Sequence, residues 1–183
     1  MTQLGLREGT GPTERAWGML VSGNYFEDLQ VGATLGRVLR MGDERERAPV
    51  AVLGHGFWQR RFASDSSIVG RTITINGTGF TIVGVAAPRF GGTYIGLNLN
   101  LYLPITTMPL LMGDGEKVLR DRQQRSFAVV GRLRPEATAT QATQELDLLA
   151  RRAGKAGGLA NPLGAIVRRH TDVDAPSAMR PVL

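Results

Sequence analysis

Residues of the types that carry catalysis or hold metals are sparse and scattered in this 183-residue sequence. It has no cysteine, and its two histidines, His55 and His170, lie far apart. A metal site needs several His, Cys, Asp or Glu side chains at convergent spacing, and neither histidine belongs to an HxxxH or HExxH pattern. The sequence therefore predicts no metal site and no cofactor.

Two groups of ionisable residues invite a catalytic interpretation. His55 stands where a strand should meet a helix, and there a helix cap or a core histidine is commoner than a catalytic base. Asp43, Glu44 and Glu46 offer carboxylates for acid and base work, but their charged run has no apolar face, which is typical of solvated surface. We expect both groups to be structural.

The glycine-rich segments do not match the motifs of nucleotide binding. Gly54-His55-Gly56 and Gly91-Gly92 lack the spacing of GxxxxGK[ST] and GxGxxG, and no lysine lies near them. No serine stands in the GxSxG elbow that a hydrolase nucleophile requires. We predict turn glycines, no catalytic residue and no enzymatic activity.

One loop is a candidate contact for another molecule. After Pro88, the aromatic residues Phe90 and Tyr94 stand among three glycines. Exposed aromatic loops on rigid sheets often carry recognition. Phe90 and Tyr94 are therefore the predicted partner contact.

The basic charge raises the question of nucleic-acid binding. The net charge is +6 and the isoelectric point is near 10.7, and lysine and arginine drive such binding by neutralising phosphates. However, the arginines stand among acidic and apolar neighbours, and no basic run is interleaved with aromatic residues that stack on bases. We expect no nucleic-acid partner.

Short hydrophobic patterns predict the elements that position these residues. Alternating isoleucines before Asn76-Gly77 and apolar residues after it predict a β-hairpin, because asparagine and glycine tolerate positive φ. Other strands are predicted over 17–21, 50–53, 97–105, 127–133 and 165–167, with helical turns over 25–29 and 54–63. The charged segments 42–47 and 113–125 are predicted loops, residues 1–13 a disordered or frayed end and 171–183 a polar tail.

The clearest helix is expected over 138–153. Thr138 with Gln141 three residues later forms a capping box at its start. An apolar stripe then recurs at helical spacing, through Ala142, Leu146, Leu149 and Ala153. We expect this stripe to pack on a sheet that contains Val50, Val52, Phe127 and Val129.

A series of short motifs runs through the chain in order, and each alone is weak. They are VSGNYF at 21–26, GR at 36–37, PVAVL at 49–53, GFWQRRF at 56–62, VGR at 69–71, ING at 75–77, FTIVGV at 80–85, LYLP at 101–104 and VGRLRP at 130–135. Together with the 138–153 helix they resemble the MacB-like periplasmic core domain of ABC transporter permeases. Gln30 stands where that family commonly carries glycine.

The resemblance implies an α+β fold with two lobes. A porter-like lobe of βαβ units would be formed from both chain ends, by residues 14–63 and 126–170. A smaller β-rich lobe would be inserted between them, over residues 64–125.

The resemblance also implies a function. The chain would be the extracytoplasmic (periplasmic) domain of an ABC transporter permease in the cell membrane. It would couple conformational change driven by a cytoplasmic ATPase subunit or domain, through the transmembrane helices, to an exported substrate or a periplasmic partner protein. Two other classes remain open, a stand-alone small-ligand binding domain and a hydrolase with a nonstandard site.

The sequence itself contains no membrane segment of the expected kind. No stretch approaches the roughly 18 to 20 consecutive apolar residues that span a bilayer. The first ten residues lack the basic start and apolar run of a secretory signal. We therefore expect a fragment whose flanking membrane helices are missing and which has no export signal of its own.

Overall fold

The computed structural model describes residues 1–94, 99–121, 127–157 and 164–168. The chain divides into two compact units, one of residues 1–92 and 96–120, the other of residues 93–95 and 121–183. The first unit contains the strands β1 (Thr2–Arg7), β2 (Glu14–Val21), β3 (Ala33–Gly36), β4 (Val50–Leu53), β5 (Thr72–Ile75), β6 (Thr78–Ala86) and β7 (Leu101–Pro104). Its helices are α1 (Tyr25–Asp28), α2 (Met41–Arg45), α3 (His55–Phe62), α4 (Met108–Leu111) and α5 (Gly115–Arg120).

Strand pairing closes the sheet of the first unit on itself. The strands follow one another in the order β6, β4, β7, β2, β1 and β5, and β5 pairs back onto β6. β3 lies outside this ring, paired with the second half of β6. The pairs β2–β7 and β4–β6 are parallel, and the other pairs are antiparallel.

Two hydrophobic clusters lie on the two faces of the ring. Side chains alternate between the faces of a strand, and on β7 Leu101 and Leu103 belong to one cluster whereas Tyr102 belongs to the other. Every strand of the ring contributes to the first cluster, so that cluster fills the inside. The buried aromatic face of α3 packs there too, which confirms the prediction that it is core.

The hairpin around Asn76-Gly77 is confirmed. Ile75 of β5 pairs with Thr78 of β6, leaving a two-residue turn. Both turn residues have positive φ, 48° for Asn76 and 89° for Gly77, as the favoured hairpin turns require. The Asn76 side chain also accepts from the Gly5 amide at 2.8 Å, which ties the turn to β1.

The amino-terminal segment is ordered, in contrast to the frayed end predicted over 1–13. Residues 2–7 form β1, which pairs with β2 on one side and β5 on the other. Leu4 and Leu6 are buried inside the ring. These leucines alternate with Gln3, Gly5 and Arg7. This alternation spans so few residues that the segment is easily mistaken for a polar coil.

Two segments predicted to be loops contain helices. In the charged run 42–47, α2 buries a carboxylate, since Asp43 is only 8% exposed. A hydrophobic pattern cannot reveal a helix whose buried face is charged. In 113–125, α5 is fixed by Glu116, which accepts from both Arg47 and Arg120.

The pairing differs from the predicted division into lobes. β5, β6 and β7 lie within 64–125, the range assigned to an inserted lobe, yet they share one sheet with β1, β2, β3 and β4. The apolar faces of the hairpin and of β7 are buried by closing this ring. The α+β class itself holds, with mixed helix and strand around a sheet-rich core.

The second unit contains the predicted helix, α6 (Ala139–Ala156). Its capping box is present, with the Thr138 amide donating to Gln141 Oε1 at 2.9 Å and the Gln141 amide donating to Thr138 Oγ1 at 3.2 Å. The prediction that the apolar stripe of this helix is buried is wrong, because the side chains of Leu146 and Leu149 are 42% and 51% exposed.

The other strands predicted in the second unit do not form. Residues 127–134 are neither strand nor helix, and Val129 is exposed. Residues 164–168 lie along α6 instead, where the Val167 amide donates to Thr143 Oγ1 at 3.1 Å and the Ala165 amide donates to Asp147 Oδ1 at 3.2 Å. The predicted polar tail over 171–183 lies outside the described residues.

Candidate functional site

Four aromatic rings gather on the outer face of the ring of strands. Tyr25 and Phe26 come from α1, Phe90 from the loop after β6 and Tyr102 from β7. Phe90 stacks on Tyr102 with 5.6 Å between ring centroids, and Phe26 meets Tyr102 edge-on at 5.2 Å. We call these four residues the aromatic cluster. Such ring pairs add to the stabilisation that burial provides, so the cluster holds the Phe90 loop on the sheet.

The two residues predicted as a partner contact have different surroundings. Phe90 is half-buried in the aromatic cluster, which leaves part of its ring accessible. Tyr94 is also half-buried but belongs to the second compact unit. Phe90 is therefore a packing residue with an accessible edge rather than a freely exposed aromatic.

The hydroxyl of Tyr102 is the unusual polar group of this cluster. The residue is fully buried, and its hydroxyl has no hydrogen-bond partner among the described residues. Burial raises the pKa of Tyr102 well above its ordinary value, and the nearby Tyr25 raises it further. This hydroxyl is therefore neutral at physiological pH.

The VSGNYF motif places α1 against α2. A side chain at Gly23 would put Cβ 2.6 Å from the carbonyl oxygen of Arg40 and 2.6 Å from Cα of Met41. The Gly23 amide donates to Glu44 Oε2 at 2.5 Å. Glycine is needed here because the two backbones touch, and the Glu44 carboxylate fixes this amide.

The carboxylate of Asp43 is engaged by Arg37 in a two-pronged ion pair. The two guanidinium nitrogens donate to Oδ2 and Oδ1 at 2.6 and 2.7 Å, and the Arg40 amide also donates to Oδ2 at 2.9 Å. Burial by itself would raise the pKa of Asp43, but the bonds from Arg37 and Arg40 outweigh it and hold the pKa below its usual range. This pair fixes the GR motif to α2.

The end of α1 places Gln30 in a backbone conformation that favours glycine. Gln30 has φ of 56°, and the Val31 amide donates back to the Phe26 carbonyl at 2.8 Å. This is the left-handed position that ends many helices and favours glycine. Gln30 therefore occupies it under strain.

A second group of charges ties several segments together at the end of β1. Arg61 donates to Glu14 at 2.5 Å and lies 3.5 Å from Glu8. Glu8 also lies 3.7 Å from Arg71, which donates to Asp65 at 2.5 Å. Each of these carboxylates forms an ion pair with an arginine, as is typical of a structural network.

His55 begins α3, as the sequence predicts. Its ring meets Trp58 edge-on, with 5.5 Å between centroids. Across the described ranges, no three or more His, Asp or Glu side chains converge as metal ligands would. The described geometry therefore offers packing and binding surfaces.

Comparison with known proteins decides the family. Residues 2–149 match the family described as MacB-like periplasmic core domain. The chain belongs to this family. The matched span contains both arginine-rich networks and the aromatic cluster.

Relatives of this MacB-like periplasmic core domain support the assignment. The probable export ATP-binding/permease protein MacB of Pseudomonas entomophila (strain L48) is 26% identical over 149 residues, covering 81% of this chain and 21% of that protein. The chain thus spans about a fifth of that relative's length.

Two solved structures show the same fold. The periplasmic region of MacB from Actinobacillus actinomycetemcomitans superposes with a TM-score of 0.56 at 20% identity, covering 84% of this chain and 64% of that one. The extracellular domain of the noncanonic ABC-type transporter YknZ from Gram-positive bacteria gives a TM-score of 0.50 at 14% identity, covering 61% and 55%. Within the described residues of this MacB-like domain, no helix is long and apolar enough to cross a bilayer.

Sequence reasoning missed several residues that shape this MacB-like domain. Tyr102 was visible only as part of LYLP, and its buried hydroxyl has no sequence signal. The pairing of Arg37 with Asp43 was also missed, although a lone arginine after glycine followed by an acidic run offered a weak hint.

Proposed function

We propose that this chain is the extracytoplasmic domain of an ABC-type permease. In that role it passes conformational change, driven by a cytoplasmic ATPase subunit or domain, to an exported substrate or a partner protein, and performs no bond chemistry itself. The observation that carries the proposal is the family match over residues 2–149. The fold shared with the periplasmic region of MacB supports it.

The first unit has the construction of a rigid body, which a coupling role requires. Its ring of strands is closed, and its inside is filled by side chains from all six strands. The connecting segments are fixed by ion pairs, such as Arg37 with Asp43 and Arg61 with Glu14. A body of this kind moves as a whole when its attachments move, as in rigid-body transitions.

Phe90 and Tyr94 are the proposed contact with a partner protein or substrate. Phe90 is fixed from below by Tyr102 and Phe26, so its accessible edge is held in place. Rigid aromatic side chains commonly act as anchors in interfaces.

The location is tested by labelling with a membrane-impermeant maleimide. The chain has no cysteine, so Glu46→Cys introduces the one thiol of this domain, in a parent permease from which any other cysteines have been removed. We expect labelling in spheroplasts, from outside the cytoplasmic membrane, whereas Ile82→Cys, at a buried position, should react only after denaturation. Labelling of Glu46→Cys only after lysis of the cytoplasmic membrane would contradict the proposal.

The contact is tested by measuring transport in the same permease and the Tm of the isolated domain. Phe90→Leu keeps most of the apolar volume in the aromatic cluster, and Tyr94→Ala removes the second ring. We expect both variants to lower transport while the isolated domain keeps its Tm within about 2 °C, a shift of under about 1 kcal/mol for a chain of this size. Transport at the wild-type rate in the double variant would contradict the contact.

The assignment of ATP hydrolysis to another subunit or domain has its own test. The sequence holds no phosphate-binding loop. Calorimetry with Mg-ATP should therefore give no heat of binding to the isolated chain. Tight nucleotide binding or ATP turnover by this chain would overturn the non-catalytic role.

A further inference from the structure

One part of the outer surface of the ring carries an exposed tryptophan and two arginines. Trp17 is 42% exposed, the indole of β2 facing away from the filled inside of the ring. Farther along β2 and on β7 the outer face is covered, because Met19 and Tyr102 pack into the second hydrophobic cluster beneath α1 and the Phe90 loop. The part around Trp17 consists of the exposed Gln3, Arg7, Arg15, Trp17 and Thr72 and the half-buried Thr74, and we call it the Trp17 face.

Strand register places these side chains on one surface. Gln3 of β1 is directly opposite Trp17 of β2, and Arg7 is directly opposite Thr74 of β5. Arg15 stands two residues before Trp17, on the same side of β2. Because successive side chains alternate, the inward Leu4, Leu6 and Ala16 between them leave this set facing outward.

The Trp17 face is positively charged and has no internal counter-charge. Among the described residues, Arg7 and Arg15 have no ion pair and are exposed. The neighbouring carboxylates are engaged elsewhere, Glu14 with Arg61 and Glu8 with Arg61 and Arg71. An anionic partner could therefore bind Arg7 and Arg15 without first breaking an ion pair within the domain.

The backbone under Trp17 is held firmly. The Trp17 amide donates to Asn100 Oδ1 at 2.6 Å, and the Asn100 amide donates to the Trp17 carbonyl at 2.8 Å. The exposed indole is thus presented from a fixed strand rather than from a mobile loop.

We propose that the Trp17 face docks on the surface of a lipid bilayer that carries anionic headgroups. Tryptophan prefers the headgroup level of a bilayer, where its ring is half apolar and its N–H stays wet. Arginines near an anionic leaflet are attracted to it. A specific protein interface needs about 800 Å² on each side and several apolar anchors, whereas this face has one large apolar side chain among glutamine, threonine and arginine. The inference goes beyond the proposed function and does not depend on it.

The test is co-sedimentation of the 183-residue chain with vesicles at low salt. We expect binding to phosphatidylcholine vesicles that contain phosphatidylglycerol, little binding to pure phosphatidylcholine, and weakening at high salt because the charges are screened. Arg7→Gln with Arg15→Gln should weaken binding about 30-fold, corresponding to about 1 kcal/mol for each arginine. Trp17→Ala should also weaken it.

A matched variant separates this face from overall charge. Arg45→Gln with Arg60→Gln removes the same charge from exposed positions elsewhere and should leave vesicle binding unchanged. Equal loss in both double variants, or no binding to anionic vesicles, would overturn the proposal. Binding to soluble polyglutamate as tight as that to the vesicles, lost in the Arg7 and Arg15 variant, would also overturn it and would instead indicate an acidic protein as the partner.

Discussion

Replacing Tyr102 by phenylalanine should stabilise the protein, although most changes to a fully buried residue do the opposite. The Tyr102 hydroxyl is buried and meets no hydrogen-bond partner within the part of the chain that the structure describes. In the unfolded chain it is hydrated, so folding costs the free energy of removing it from water. Tyr102→Phe removes that cost and keeps the ring stacked on Phe90.

The magnitude follows from two opposing contributions. An unsatisfied buried polar group costs about 1 to 3 kcal/mol. Removing the oxygen leaves a void smaller than a methyl group, which costs at most about 1 kcal/mol. The free energy of unfolding should therefore rise by about 1 kcal/mol, or roughly 2 to 4 °C in Tm for a chain of this length.

Urea denaturation and thermal unfolding measure this difference. Tyr25→Phe is the matched control, because the Tyr25 hydroxyl lies 3.7 Å from Met19 Sδ and its removal should be neutral or slightly destabilising. A clear loss of stability in Tyr102→Phe would refute the reasoning, since the hydroxyl would then make a favourable bond in the folded protein.

Alkaline pH gives a second measurement on the same residue. Burial raises the pKa of Tyr102 above its ordinary value of 10.0. Tyr102 is therefore neutral in the folded and the unfolded chain well below pH 10, and the protein loses stability as the pH rises further, because the unfolded chain ionises first. Wild type should lose more stability than Tyr102→Phe between pH 9 and pH 11, and parallel curves would contradict the assignment.

Three further changes test local packing, each by urea denaturation. Gly23→Ala should lower the free energy of unfolding by about 1 to 3 kcal/mol, because its Cβ would overlap the start of α2. Its control, Gly42→Ala, has nothing near its Cβ and should instead stabilise α2 by about 0.5 to 1 kcal/mol. Gln30→Gly should raise stability by up to about 1 kcal/mol, since it relieves a left-handed backbone; a loss would contradict this. Asp43→Asn should cost about 3 kcal/mol at pH 7, against under about 0.5 kcal/mol for the exposed Glu46→Gln. Because the pKa of Asp43 is lowered in the fold, its stabilising contribution should be present above about pH 4 and disappear as the pH falls further; a difference between wild type and Asp43→Asn that persists at pH 2 would refute this.

The parts of the fold that the sequence predicts correctly are those with local causes. The Asn76-Gly77 hairpin needs only positive φ and alternation, and the start of α6 needs only the capping box of Thr138 and Gln141. Both are present as predicted.

The parts that escaped prediction depend on distant partners. β1 is stabilised by pairing with β5, far along the chain, and α2 is stabilised by a carboxylate that Arg37 engages. In 127–133, Phe127 and Val129 have strand-forming side chains, but no strand forms there. Propensity alone does not decide such segments, because partners and packing override it.

The candidate site was predictable only in part. The position of Phe90 in a glycine-rich loop after Pro88 was readable, but the three rings that hold it come from α1 and β7. Their meeting depends on the parallel pairing of β2 with β7, which no local pattern encodes.

The closed ring also sets the order in which the domain can be made. β7 lies between β2 and β4, pairing Gly18 with Leu101 and Leu53 with Leu101 across the two junctions. A chain that ends before Pro104 leaves β2 and β4 each without one neighbour, so it should lack a finished core. Pairing between strands so distant in sequence is slow because long loops must close first. Chains that end before β7 should therefore be sensitive to protease, and protection should arise in a single step once that strand is included.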